Sequence, residues 1–186
     1  MRHGSVVVIP SNDEAGARAV DDRSMDSGID IRPLGRGDRS AFGRFFDGLS
    51  TRSRYLRFFS PMPRLPERTL DWMVEVDGHR HAALAAWQGD EVIGEARYVA
   101  FADESAEVAV TVHDNWQRHG VGTAMLLRLV ADAARNGFCR LTASSLPENR
   151  GVLKLLTRNG FVPTGSADGV SEWERNACPV IPMVAH

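Results

Sequence analysis

A glycine-containing loop, Gln117–Thr123, lies between a predicted strand and the start of a long predicted helix. Gly120 and Gly122 allow a tight turn and let backbone N–H groups approach a ligand without Cβ atoms in the way. The helix start adds unpaired N–H groups and the positive end of the helix dipole, which favour phosphate. Arg118 and His119 add positive charge at the rim. The pattern predicts a cradle for a pyrophosphate, although glycines also begin helices that bind nothing.

The same loop differs from two other phosphate-binding patterns. No Gly-Lys-Ser/Thr follows, as a P-loop requires. The three spaced glycines that bind dinucleotides after the first strand of a βαβ unit are also missing. The loop therefore needs its wider sequence context before a ligand can be assigned.

Glu107 is the candidate general base. It lies in an otherwise apolar predicted strand, in which Val108, Val110 and Val112 alternate with it. Burial disfavours the charged form of a carboxyl group and raises its pKa, and a base with a pKa near the working pH is effective. The alternative is a charge on the solvent face of the strand.

The cysteines and histidines give weaker signals. Cys139 and Cys178 form no close pair in the sequence, so neither a zinc site nor a disulfide is predicted, and a reducing compartment is the expectation. No cluster of histidine, cysteine or carboxylate residues has metal-ligand spacing, so no metal is predicted. His113 follows the Glu107 strand and is either a general acid or a turn residue. His79 and His81 either line the acceptor side of a site or lie on the surface.

The elements that must position these residues form an α/β pattern around one mixed sheet, with no internal repeat. Hydrophobic periodicity, helix caps and turn residues define them. The predicted order is strand Ile29–Ile31; helices Asp38–Leu49, Arg52–Phe59 and 66–74; strands His81–Trp87, Glu91–Phe101 and Glu107–Val112; helix 120–136; strand Cys139–Ser144; helix 148–158; and strands Phe161–Val162 and Val170–Trp173. Residues 1–28 are expected to form a flexible arm, in which Val6–Ile9 could add an edge strand, and residues 176–186 an irregular tail.

The composition fits one globular domain. The chain has 186 residues, 43% of them hydrophobic and 25% charged, with a net charge of −2. This balance favours no nucleic-acid partner. The longest apolar run, Ala82–Trp87, is far below the roughly 20 residues of a membrane span, and the start lacks a signal peptide. A cytoplasmic protein with no membrane partner is expected.

The sequence resembles the GNAT superfamily of acyl-CoA-dependent N-acyltransferases. The family hallmark, Gln/Arg-x-x-Gly-x-Gly/Ala after the fourth strand, matches Gln117-x-x-Gly120-x-Gly122. The closing pattern also matches, with Asn149 opening a helix and Arg158-Asn159-Gly160-Phe161 ending it. The likeness covers about residues 29–175, the predicted catalytic domain. Five shorter stretches look like bacterial protein-lysine acetyltransferases: 54–59, 76–77, 94–98, 106–109 and 147–150.

The resemblance implies a mostly antiparallel mixed sheet flanked by helices, with a V-shaped splay between the fourth and fifth strands. Acetyl-CoA would be the cosubstrate, with its pantetheine arm between those strands and its pyrophosphate at the loop. The implied cofactor-binding residues are Val110, Thr111, Val112, Gln117, Arg118, His119, Gly120, Val121, Gly122, Thr123 and Asn149. The contacts of Val110 and Val112 would be made by backbone groups, while their side chains are expected to be core.

The implied reaction is acetyl transfer to a primary amine with Glu107 as general base, since the matching glutamate has that role in the resembling branch. Many family members place a tyrosine acid where this chain has Leu156, so solvent or His113 would protonate the leaving thiol. The implied acceptor is a protein lysine. A small amine as acceptor and a non-catalytic acyl-CoA sensor are the alternatives, and a monomer or homodimer is expected.

Two further groups of residues, three arginines and four tryptophans, each allow two interpretations. The resemblance places Arg52, Arg54 and Arg57 on a wall of the acceptor cleft, whereas the residues themselves favour a solvated helix face. The four tryptophans are expected to lie in the core or the cleft wall: Trp72, Trp87, Trp116 and Trp173.

Overall fold

A seven-stranded mixed sheet forms the centre of the molecule, with strand order β1-β2-β3-β4-β5-β7-β6. The computed structural model describes residues 28–178. The predicted strand Val6–Ile9, the rest of the predicted arm up to residue 27, and residues 179–186 lie outside this range. The elements are β1 (Ile29–Pro33), α1 (Arg39–Gly48), α2 (Thr51–Phe58), α3 (Glu67–Val74), β2 (His81–Gln88), β3 (Glu91–Ala102), β4 (Ser105–Val112), α4 (Val121–Arg135), β5 (Arg140–Ser145), α5 (Arg150–Arg158), β6 (Val162–Ala167) and β7 (Val170–Asn176).

Helices α1 and α3 cover one face of the sheet. The apolar stripe of α1, including Phe42 and Phe46, is buried in one cluster with Ala85 and Trp87 of β2. Asp38 is the N-cap of α1, as predicted, but its carboxylate accepts a hydrogen bond from the Gly35 N–H at 3.0 Å and does not cap the helix. The burial of this stripe, rather than the cap, holds α1 on the sheet.

Helices α4 and α5 cover the other face. Met125, Leu126 and Leu129 of α4 are fully buried in a cluster with the alternate residues of β4. The helix approaches the sheet closely at Gly94, where an added Cβ would lie 2.6 Å from the Met125 Cε atom. A side chain at this position would displace the terminal methyl of Met125 and would lie 3.3 Å from the Thr111 carbonyl oxygen.

The fourth and fifth strands pair over three residues and then separate. Strand β4 is antiparallel to β3 along its length, but it pairs in parallel with β5 only at Ser105, Ala106 and Glu107. From Val108 to Val112, the edge of β4 that faces β5 pairs with no described strand. This confirms the predicted mixed sheet and its V-shaped splay.

Cys139 and Cys178 form a disulfide, so the prediction that they are unpaired is wrong. They are 39 residues apart in the chain, and the antiparallel pairing of β5 with β7 brings them to a Cα–Cα distance of 4.9 Å. Chain separation hides this contact from a sequence reading. The inference of a reducing compartment from unpaired cysteines therefore loses its premise.

Within residues 28–178, no helix has the length and hydropathy needed to cross a membrane.

Candidate active site

The loop before α4 has the geometry of an anion cradle. Gly120 is the N-cap of α4 with φ +83°, a left-handed conformation that favours glycine. A Cβ at Gly120 would meet no atom within 4 Å, so the space in front of it is open. The first helical hydrogen bond runs from the Ala124 N–H to the Gly120 carbonyl. The N–H groups at 121–123 therefore have no partner within the helix and can bind a phosphate oxygen.

The side chain of Gln117 has a structural role in this loop. Gln117 is buried, and its amide donates to the Val112 carbonyl at 3.0 Å and lies 3.5 Å from the Ser53 hydroxyl. It joins the end of β4 to the loop and to α2. The amide group is committed to these contacts, so only the backbone of Gln117 is left for a phosphate.

The three predicted residues of β4 can contact a ligand only through their backbone. Val110 and Val112 are buried in the α4-side core, as predicted. Thr111 is buried too, and it lies opposite Glu95 of β3. The His113 N–H donates to the Ile93 carbonyl of β3, so the backbone of Thr111, two residues earlier, also faces β3. The backbone of Val110 and Val112 faces the opposite side, where β5 has already separated, although the Val112 carbonyl is bonded to Gln117.

Asn149 is at the start of α5. It is fully buried, and its Oδ1 atom accepts a hydrogen bond from the Val152 N–H at 3.2 Å, which caps the helix. Its predicted contact with pantetheine remains a prediction.

Glu107 lies where the two strands separate. It is the last β4 residue that pairs with β5, opposite Thr142, and it pairs with Val99 on the other side. Its side chain is half-buried, and the Ser144 hydroxyl donates to Oε1 at 3.3 Å. Glu107 is therefore neither a fully solvated charge nor a core residue, which is the setting expected of a base.

His81 shares the sheet face of Glu107. The pairing His81–Val99–Glu107 crosses three adjacent strands, so His81 and Glu107 are about 10 Å apart at the backbone. Burial, helped by the nearby Arg97 cation, lowers the pKa of His81 to about 4, so its ring is neutral at pH 7. Trp72, with 45% of its surface exposed, stacks on it at 4.5 Å.

The structure separates the other two histidines from Glu107. His79 packs against Phe138 on the α4 side of the sheet. His113 follows the far end of β4, six residues or about 20 Å along the strand from Glu107. Its Nδ1 accepts a hydrogen bond from the Asn115 N–H at 3.4 Å. This contact agrees with the interpretation of His113 as a turn residue. This distance argues against His113 as the proton donor.

A buried charge cluster lies on the same face of the sheet as Glu107, and the sequence analysis did not predict it. Arg97 and Glu95 of β3 are each 1% exposed and hydrogen-bond to each other through Nε and Oε1. Arg97 also donates to the Met73 carbonyl at 3.1 Å and contacts His81 Nε2 at 3.0 Å. Arg57 of α2 joins them, with its terminal nitrogen 3.9 Å from Glu95.

The expectation of a solvated arginine face on α2 is therefore wrong for Arg57. Arg52 is exposed and Arg54 is half-buried, but Arg57 is only 4% exposed. The last turn of α2 lies over the sheet, where Glu95 supplies the opposite charge. The sequence does contain one indication of this cluster. Glu95 and Arg97 are two residues apart, so both charges lie on the same face of a mostly apolar strand.

Within residues 28–178, two other features were compared with this site: groups of possible metal ligands and one cavity. The described residues contain no group of three His, Cys, Asp or Glu placed to hold a metal ion. A cavity of about 240 Å³ lies beside Asn136, at the other end of α4, about 20 Å from the loop. It is separate from the fork between β4 and β5.

Comparisons with known proteins give the family. The model of the acetyltransferase (GNAT) family matches residues 48–161. The chain is 30% identical over 146 residues to acetyltransferase PA5475 of Pseudomonas aeruginosa, covering 75% of this chain and 78% of that protein. It is 33% identical over 158 residues to acetyltransferase Pat of Mycolicibacterium smegmatis, covering 81% of this chain and 46% of Pat. The chain thus spans just under half the length of Pat.

A solved structure agrees. The GNAT domain of S. lividans PAT matches with a TM-score of 0.75 and 31% identity, over 78% of this chain and 89% of that domain. The chain belongs to the acetyltransferase (GNAT) family, whose members are acetyl-CoA-dependent N-acetyltransferases.

Proposed function

We propose that this protein transfers an acetyl group from acetyl-CoA to a lysine side chain of a protein, with Glu107 as general base. The observation that carries the proposal is the position of Glu107, half-buried at the vertex where β4 and β5 separate. A carboxylate there would be next to a thioester that reaches the closed end of the opening between the two strands.

The cosubstrate would lie along the opening toward the loop. The backbone of Val110 and Val112 would bind the pantetheine arm, and the N–H groups at 118–123 would hold the pyrophosphate. The open space at Gly120 and the helix N–H groups without helical partners support this arrangement. Asn149 would add a contact from the other side of the opening.

The proposed reaction is a direct attack. A lysine amine with a pKa near 10.4 is mostly protonated at neutral pH, so Glu107 removes a proton from it, directly or through a water. The nitrogen then attacks the thioester carbonyl carbon, the C–S bond breaks, and the nitrogen gives up its second proton to solvent as the amide forms. The leaving thiolate, with a pKa near 8.5, takes its proton from solvent, so no dedicated acid is needed at the position of Leu156.

The resemblance and the relatives support a protein as acceptor. The short stretches typical of bacterial protein-lysine acetyltransferases and the match to the GNAT domain of PAT point the same way. A small-molecule amine remains the second candidate, because the half-exposed row His81–Val99–Glu107 would accept either kind of amine. A cytoplasmic location, a monomer or homodimer, and the absence of a nucleic-acid or membrane partner stay predictions, as do the domain limits 29–175.

The test combines one variant with product profiling. The wild type, Glu107→Gln and the matched control Glu104→Gln, whose residue is exposed in the β3–β4 turn, are incubated with acetyl-CoA and either lysate proteins or a mixture of small amines. Glu107→Gln keeps the shape and removes the basicity, so turnover should fall roughly 100- to 10,000-fold, while acetyl-CoA affinity changes little. Raising the pH should partly restore it, because more amine is then deprotonated.

Mass spectrometry of the products and the rate of CoA release check this prediction. Near-wild-type turnover of Glu107→Gln at neutral pH would remove Glu107 from the mechanism. Acetylation of the small amines alone would replace the lysine acceptor with the second candidate.

A further inference from the structure

Trp72 of α3 is held by its neighbours while almost half of its surface, 45%, is open to solvent. Its indole stacks on the His81 ring, with the ring centroids 4.5 Å apart and the planes 22° apart. The guanidinium carbon of Arg97 lies 5.5 Å from the centre of the same indole. Because His81 covers one face of the indole, the exposed surface belongs to the other face and to the edges of the ring.

The support beneath this indole is buried and hydrogen-bonded. Arg97 is 1% exposed, and its guanidinium donates to Glu95 and, at 3.1 Å, to the Met73 carbonyl. It also lies 3.0 Å from His81 Nε2. Met73 follows Trp72 in α3, so one guanidinium holds both the backbone beside the indole and the ring on which the indole stacks. A tryptophan supported in this way loses little side-chain entropy when it binds a partner.

The indole lies at one end of a strip of accessible residues, and Glu107 is at the other end. His81, Val99 and Glu107 pair directly across β2, β3 and β4, and all three are half-buried on one face of the sheet. Two residues away along β2 and β3, on the same face, Ala83 and Arg97 are buried, which bounds the strip on that side. Because adjacent strands are about 4.8 Å apart, the strip is about 10 Å long.

The charges around the indole favour an apolar occupant. Arg97 already lies against the ring, and Arg68 is one helical turn before Trp72 on α3, so a basic side chain would meet like charges. An acidic side chain would meet the negative face of the π system. Asp71 and Glu75, the acidic residues next to Trp72 on α3, are each paired with an arginine. An aliphatic or aromatic side chain can stack on the indole without losing the hydration of a charge.

We propose that Trp72 is a specificity-determining residue of the acceptor site, which binds an apolar side chain three or four residues from the reacting lysine of the acceptor polypeptide. This inference rests on the proposed function, in which the lysine amine reaches Glu107. An extended chain advances about 3.3 Å per residue, so three or four residues cover the strip and the stacked ring at its end. A small amine held at Glu107 is too short to reach the indole, so the contact belongs to a polypeptide acceptor.

The test uses peptides that carry a single lysine in a Gly/Ser background, with leucine or arginine placed three or four positions before or after it. In the wild type, leucine at one of these positions should raise kcat/KM about 10-fold over the Gly/Ser peptide, mainly through a lower KM, because an apolar side chain leaves water. Arginine should give no such gain. Trp72→Ala and Trp72→Gln, which both lack the aromatic ring, should bring the ratio close to one, and Trp72→Phe should keep most of it.

Leu127→Ala is the matched control, because Leu127 is 44% exposed but lies on α4, on the other face of the sheet, and this variant should keep the wild-type ratio. A folded Trp72→Ala or Trp72→Gln protein that keeps the wild-type ratio overturns the proposal, since a merely structural role of Trp72 would lower the rates with both peptides alike. The two proposals fail separately. Peptide acetylation without a leucine preference in the wild type removes only the role of Trp72, whereas acetylation of small amines but of no peptide or protein removes the lysine acceptor and this role with it.

Discussion

Gly120 combines two properties that a residue with a Cβ atom lacks. Its positive φ allows the chain to enter α4 from a tight loop, and the open space above it lets a ligand come close to the backbone. A β-branched residue at this φ is strained and would fill that space. The cradle thus depends on the absence of a side chain.

Replacing Gly120 by Val should therefore abolish acetyl-CoA binding while the protein still folds. In the wild type, acetyl-CoA at 100-fold excess over its dissociation constant should stabilise the fold by about 2.7 kcal/mol, which a thermal-shift assay detects. Gly89→Val is the matched control, because Gly89 also has a positive φ and open surroundings but lies in the β2–β3 turn. A full shift in Gly120→Val, or none in the wild type at millimolar acetyl-CoA, would contradict the assignment of the loop.

One carboxylate anchors α2 to the segment that follows β4. Asp114 accepts hydrogen bonds from the Ser50 N–H, the Ser50 hydroxyl and the Ser53 hydroxyl, at 2.9, 2.7 and 2.7 Å. Burial alone would raise the pKa of Asp114, but these hydrogen bonds outweigh it and the pKa lies below its ordinary value. Ser53 in turn lies 3.5 Å from the amide of Gln117. The helix that carries Arg57 is thereby joined to the loop that carries the anion cradle.

Asp114→Asn should weaken this anchor at neutral pH by about 1–3 kcal/mol, the usual size of hydrogen bonds to a charged group. Because the folded state lowers the pKa of Asp114, its stabilisation is present above the ordinary aspartate value and is lost as the pH falls through the lowered one. Urea unfolding at pH 7 and near pH 3 should show the difference from wild type shrinking in acid. Asp90→Asn, in the exposed β2–β3 turn, is the control. A difference that stays constant with pH would mean that the charge of Asp114 is not the cause.

The sequence predicts most elements because their patterns are local. The stripe of α1, the β2–β3 hairpin and the helix after the glycine loop depend on spacing within one segment. Strand β6 is longer than predicted because all of its residues are exposed, so it has no apolar pattern and is defined by its pairing with β7. Arg57 could not be predicted as buried, since an arginine is normally assigned to solvent unless its tertiary partner is known.

The disulfide links the end of β7 to the start of β5. The bond joins residues 39 apart, and the Ala177 N–H also donates to the Cys139 carbonyl at 2.7 Å. In the chain-entropy model, a loop of this length is worth about 4 kcal/mol of stability. The bond lies beyond the paired end of the fork, so it affects stability without touching the anion cradle.

Reduction by dithiothreitol should therefore lower the Tm of the wild type. Cys178→Ser should have the same low Tm with and without reductant. Acetyl-CoA should still raise the Tm of the reduced wild type and of Cys178→Ser. Calorimetry checks all three outcomes, and a wild-type Tm that does not respond to complete reduction, verified by thiol titration, would show that the bond contributes nothing.

The unpaired part of β4 sets a fixed distance between Glu107 and the loop before α4. The vertex of the fork is Glu107 and its open end is near Val112, beside the loop, so the segment between them measures about 17 Å. A linear molecule anchored by its phosphates at the loop must be about that long for its tip to reach the carboxylate. A shorter thioester held at the same anchor would stop before the vertex and bind without reacting. In the proposed binding mode, the extent of strand pairing, a property of the backbone alone, would thus select acyl donors by length.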